Sequence, residues 1–209
     1  MSVLKQIAYF LNRRDEVPNQ ELARKLAETK DREGIREIAE NLWNKNQNIQ
    51  SDCLKVLYEV GYLDPELIAS YASDFLKLLK SRNNRLVWGA MIALSTIAIP
   101  AAGVLYPHID LIQKTMDRGS VITIDAGVRA LAAIAGTSQD RRDEIFPSLR
   151  VHLQTCRPKD VPRHAEDILV AVNAANKREF IDVLEKRLPD MTGTQAKRVK
   201  KSIQAAEKR

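Results

Sequence analysis

Little in this chain supports a β-architecture. Aromatic residues make up 5% of its 209 positions, and Gly and Pro number 8 each, too few for strands that turn back about every 8–12 residues. Cysteine is as scarce, with only Cys53 and Cys156, far apart in a chain that opens without a signal-peptide pattern. Both are expected as reduced thiols of a cytoplasmic protein. Long apolar runs are nearly missing too. The exception, Val87 to Pro107, has no charged residue, but Ser95, Thr96, Pro100 and Gly103 interrupt it. It predicts two shorter helices and no membrane span.

Ala, Leu, Lys, Arg and Glu are abundant instead, and 44% hydrophobic content suffices for a core. The fold class expected is all-α. Self-similarity organises it. The segments Ile49–Val60, Leu86–Ile97, Thr123–Ile134 and Val161–Val172 align without gaps. One column reads Leu57, Leu94, Leu131, Leu169 at spacings of 37, 37 and 38; another reads Val60, Ile97, Ile134, Val172; a third holds the small Cys53, Ala90, Gly127, Ala165. The four leucines are expected to be buried. A second apolar stripe follows each segment at helical spacing: Leu67, Tyr71, Phe75, Leu78; Leu105, Ile109, Ile112, Met116; Ile145, Leu149, Leu153, Cys156; and Phe180, Leu184, Leu188. Each unit is therefore a helical hairpin.

The expected organisation is a repeat array over 1–190: an N-terminal pair at 1–45, then repeats near 46–82, 83–119, 120–157 and 158–190. Helix starts are read at Asp64-Pro65-Glu66, at the capping-box-like Thr137 to Asp140, and at Asn176. Met1 to Arg14 reads as an amphipathic first helix. Val121 to Ile124 is strand-like by its branched residues, but the repeat register makes it helical. Residues 191–209 form a basic C-terminal helix, with a capping box at Thr192 to Gln195 and a narrow stripe of Ala196, Val199, Ile203 and Ala206 that caps the last repeat.

The segment Leu86–Ile97 resembles the first helix of a HEAT-type repeat, in which small residues are followed by Ala-Leu and an aliphatic three further on. The Arg usual near its start is replaced by Gln50, Val87, Ile124 and Pro162. This resemblance to HEAT and armadillo repeat proteins implies a right-handed α-α superhelix of about five hairpins, whose work is binding other macromolecules.

The charge of that surface is unevenly distributed. Met191 to Arg209 holds six of the 33 basic residues and one of the 27 acidic ones, so the remainder carries 27 and 26, a net of +1. The formal +6 is mostly a property of the tail, which argues against a basic nucleic-acid groove along the repeats. The candidate partner-binding residues are Lys77, Lys80, Lys114, Arg150 and Lys186, near the ends of second helices, with Lys197, Arg198, Lys200 and Lys201 in the tail. Cations at helix C-termini also have a structural role, offsetting exposed carbonyls.

No catalytic, cofactor-binding or metal residue is assigned. His152 and Cys156 stand at i, i+4, with His164, Asp160 and Asp167 nearby. A zinc site can be drawn from them, but no familiar ligand spacing supports it. The paired His-Glu dipeptides of HEAT-type iron hydroxylases are missing. HEAT-like DNA glycosylases for alkylated bases use tryptophans beside an Asp, whereas Trp43 and Trp88 are the only tryptophans here, and Trp88 lies between Val87 and Gly89 with no adjacent carboxylate. The reading is a non-enzymatic, protein-binding module, monomeric or weakly dimeric, without cofactor. A nucleic-acid-binding HEAT protein, engaging through the basic tail or related to those glycosylases, is the alternative.

Overall fold

The structure is a computed structural model describing residues 2–209; Met1 lies outside the described residues. These residues form helices and turns, with no strand. The α-helices are α1 (Val17–Glu28), α2 (Arg32–Glu40), α3 (Gln47–Leu63), α4 (Ala72–Leu78), α5 (Asn84–Thr96), α6 (Ala102–Leu105), α7 (Ile109–Asp117), α8 (Val121–Ala135), α9 (Gln139–Thr155), α10 (Val161–Ile168), α11 (Lys177–Arg187) and α12 (Gly193–Glu207). The chain divides into two compact units, one ending at Gly127 and the other beginning at Val128, inside α8. No helix among the described residues is long and apolar enough to cross a membrane.

Local chemistry sets the helix starts. Side chains of Asp31, Asn46 and Asn83 accept from backbone N–H groups of Gly34, Asn48 and Arg85 at 2.9, 2.9 and 3.0 Å, pairing donors that the first helical turn leaves orphaned. Ser138, one residue beyond Thr137, caps α9 by accepting from Arg141 at 3.3 Å. Asn176 precedes α11 without capping it; its side chain accepts from Asn173 N–H and donates to the Ala171 carbonyl. The capping box of α12 forms, with Thr192 N–H donating to Gln195 Oε1 at 2.9 Å.

In the first unit α3 packs between α1 and α5. Leu57, Leu94, Val60 and Ile97 are buried there, as are Leu131 and Ile134 in the second unit. The strand-like Val121–Ile124 is the first turn of α8, where Val121 and Ile122 face outward and Thr123 is buried with its hydroxyl 3.1 Å from that of Ser120. In the second unit α12 packs on α10 and α11, burying Val199, Ser202, Ile203 and Ala206.

Three expectations need correction. The first helix read over Met1–Arg14 does not form among the described residues; a 3-10 turn at Leu4–Gln6 leads into turns, and Asn12 adopts φ 52°. The N–H groups of Val3, Ala8 and Tyr9 donate to Glu37, Asn19 and Asp52 at 2.9, 2.9 and 2.8 Å. Side chains of later helices thus replace the carbonyls a helix would have supplied, and the segment becomes a strap with Val3, Ile7 and Ala8 buried.

Two second helices are also broken up. Turns at Pro65–Leu67 and Ala69–Tyr71 precede α4, and Tyr106–His108 separates α6 from α7. Pro65 and Pro107 each lack an N–H for the helical ladder. Finally, Leu169 is only half-buried, and Ile168, 37 residues after Leu131, is fully buried instead. There α10 tightens into a 3-10 turn at Leu169–Ala171, whose three residues per turn rotate the following positions so that Val172 returns to the core.

Candidate functional site

The first unit contains a cleft of ≈ 350 Å³ walled by the N-terminal strap, α3 and α5. Gly89 brings α5 close to α3 at its floor, since a Cβ there would stand 2.7 Å from Leu54 Cδ2. Trp88 and Tyr58 meet beside it with ring centroids 6.4 Å apart. Lys55 Nζ lies 2.8 Å from Glu16, 2.7 Å from Glu59 and 4.9 Å above the Tyr58 ring. Burial alone would lower the ammonium pKa, but the hydrogen bonds to Glu16 and Glu59 outweigh it and leave it raised. Lys55 is therefore a cation at any physiological pH.

Charge in the cleft is unevenly committed. Asp15 accepts from Arg13 at 2.8 Å and Val17 N–H at 3.1 Å, Glu16 pairs with Lys55, and Asp52 holds Tyr9 N–H. Arg14 and Arg85 also line the cleft; both are solvent-exposed and form no ion pair among the described residues. Asp15 and Glu16 are paired with cations, Asp52 accepts one backbone N–H, and two guanidinium groups are open, so the cleft offers an aromatic floor with anion-seeking walls. Asp52 shares the cleft with Trp88, a neighbour that sequence adjacency could not reveal, yet its carboxylate is engaged by the strap.

The sequence-derived candidates are distributed differently. Lys77, Lys80 and Lys114 belong to the first unit. Lys77 pairs with Asp74 at 3.2 Å and sits 5.9 Å from the half-exposed Trp43 ring, Lys80 lines a shallow depression with it, and Lys114 lies 3.9 Å from Asp110. Arg150, Lys186 and the tail belong to the second unit. Arg150 lies within α9, its Nε 3.3 Å from Glu179 but without a hydrogen bond. Lys186, Lys197, Lys200 and Lys201 are exposed, while Arg198 makes a two-pronged pair with Glu166 at 2.9 and 2.6 Å.

Arg187 has a structural role that its neighbours lack. It is buried and donates to the carbonyls of Leu153, Gln154 and Cys156 at 2.6, 2.8 and 2.8 Å, closing the C-terminus of α9. Beside it the structure brings together His152, Cys156 and His164, whose ligand-capable atoms all lie within 4.8 Å of one another. Asp160 is instead held by Arg157 at 2.6 Å, and Asp167 faces Arg129 at 3.6 Å.

The sequence matches no family model and no curated protein. Solved structures do match. A designed armadillo repeat protein in complex with the peptide (KR)4 superposes with TM-score 0.72 at 16% identity, over 98% of each chain. This chain has the armadillo/HEAT-like helical repeat fold. An engineered protein gives TM-score 0.70 at 18% identity, covering 100% of this chain and 98% of its own. The karyopherin Kap121p bound to Pho4p gives 0.65 at 13% identity, over 96% of this chain and 22% of Kap121p. This repeat fold is commonly a protein-binding scaffold, and identities this low speak to the fold alone.

Proposed function

We propose that this repeat protein is a non-enzymatic binding module whose cleft between the strap, α3 and α5 takes an extended acidic segment of a protein partner. The observation that carries the reading is the open pair Arg14 and Arg85 flanking the Trp88 and Tyr58 surface, beside carboxylates that are already engaged. The designed armadillo neighbour binds (KR)4; here the open charge has the opposite sign, so the preferred peptide is anionic with an apolar or aromatic anchor. Cytoplasmic residence as a monomer or weak dimer belongs to the same proposal.

Selection from a displayed random-peptide library tests it. Enriched sequences should carry Asp or Glu beside an aromatic or aliphatic residue, and Trp88→Ala with Arg85→Glu should weaken them by at least about tenfold. Enrichment of Lys/Arg-rich peptides, or affinity untouched by both substitutions, would contradict the reading. Salt-dependent binding to DNA or RNA that disappears when Lys197, Lys200 and Lys201 become Glu would favour the nucleic-acid alternative, for which the exposed lysines of α12 speak.

A further inference from the structure

We propose that His152, Cys156 and His164 form a three-ligand site for a borderline-soft divalent cation such as Zn²⁺, with the fourth position left to solvent. This departs from the expectation that the chain has no metal residues. The donors come from two elements: His152 on α9 and Cys156 one helical turn later at its C-cap, and His164 on α10. His152 Nε2 and His164 Nδ1 are 3.0 Å apart, and the three donor atoms fit within 4.8 Å. Tetrahedral zinc, with Zn–N near 2.0–2.1 Å and Zn–S near 2.3 Å, needs nitrogen–nitrogen and nitrogen–sulfur edges of about 3.3 and about 3.6 Å. Small side-chain rotations supply that change.

The surroundings fix the donors before any ion arrives. His164 is fully buried with Nδ1 directed at His152, whereas His152 and Cys156 are half-buried and leave an entry path. Arg187 holds the Cys156 carbonyl at 2.8 Å and so anchors the end of α9 that carries the thiol. Burial pushes the Cys156 thiol up, and the Arg187 guanidinium works against that rise. The same cation repels a metal ion, so affinity should be weaker than in a closed four-ligand structural site.

The protons balance simply. Cys156 gives up its thiol proton to solvent when sulfur takes the metal. The proton shared between the two imidazoles moves to the far nitrogen of the ring that carries it, so that both facing lone pairs bind the ion. No electron is transferred. About one proton leaves per ion bound.

Untagged full-length protein, stripped with chelator and titrated with Co²⁺, tests the site. The expected result is one ion per chain, with a thiolate-to-cobalt charge-transfer band and the intense visible bands of tetrahedral cobalt, all displaced by Zn²⁺. Cys156→Ser should abolish the charge-transfer band, and His152→Ala should weaken binding by at least about 100-fold. A weak six-coordinate spectrum, or binding unchanged in both variants, would overturn the proposal. A second measurement needs no variant: Zn²⁺ should slow alkylation of Cys156, located by mass spectrometry, and chelator should restore it. Alkylation indifferent to Zn²⁺ would also overturn it.

Discussion

Burial, with Asp52 and Glu37 adding negative charge, pushes the Cys53 thiol up to about 12. In the unfolded chain a cysteine titrates near 8.5, so the native state holds this proton more tightly. The resulting stability is fully present below about pH 8.5 and is lost as pH rises toward about 12. Tyr58, raised by burial to about 12 although Lys55 opposes the shift, adds to the loss at higher pH. Urea midpoints should therefore fall from about pH 9 upward, and Cys53→Ala, after a constant offset, should decline less steeply by up to about 1 kcal/mol per pH unit. Parallel profiles would show that the thiol does not titrate as a buried group. At this scale much was readable: Leu57, Leu94 and Leu131 are buried where their shared register put them. Arg187 was not, because it sits at the end of its own helix and its acceptors are 31 to 34 residues back.

The helix starts at Asp64 and Thr192 were legible, because their caps are local. The N-terminal strap was not, because its backbone partners Asn19, Glu37 and Asp52 lie 11, 34 and 43 residues away. Close approach between elements is open to a direct comparison of two glycines. A Cβ on Gly61 of α3 would come within 2.8 Å of Ile68 Cδ1 and 2.9 Å of Thr96 Cβ, whereas one on Gly103 of α6 meets nothing within 4 Å. Gly61→Ala should cost about 1–3 kcal/mol through overpacking. Gly103→Ala should stabilise by about 0.4–1 kcal/mol, since the exposed helical position loses only unfolded-state freedom. Thermal melts of the two variants moving in the same direction would contradict this packing of α3.

For the molecule as a whole, the repeat count came from periodicity, which survives in sequence because each hairpin must present a similar apolar face to its neighbour. The cleft left no such trace, being assembled from the strap, α3 and α5. The tail that supplies most of the net charge buries Val199 fully and keeps Lys197, Lys200 and Lys201 outside. Val199→Asp should destabilise the second unit by about 1–3 kcal/mol. Replacing the three lysines by Glu should shift stability by about 0.5 kcal/mol or less; denaturant titration separates the two outcomes, and a larger effect from the lysines would place them in a packed contact. Arg187 adds a constraint of another kind. Because α9 ends on a guanidinium borrowed from α11, neither helix reaches its final hydrogen bonding alone. Fraying of α11 strands three carbonyls of its neighbour, so these two helices melt together, and the C-terminal part of the array behaves as a single cooperative block and does not unzip hairpin by hairpin.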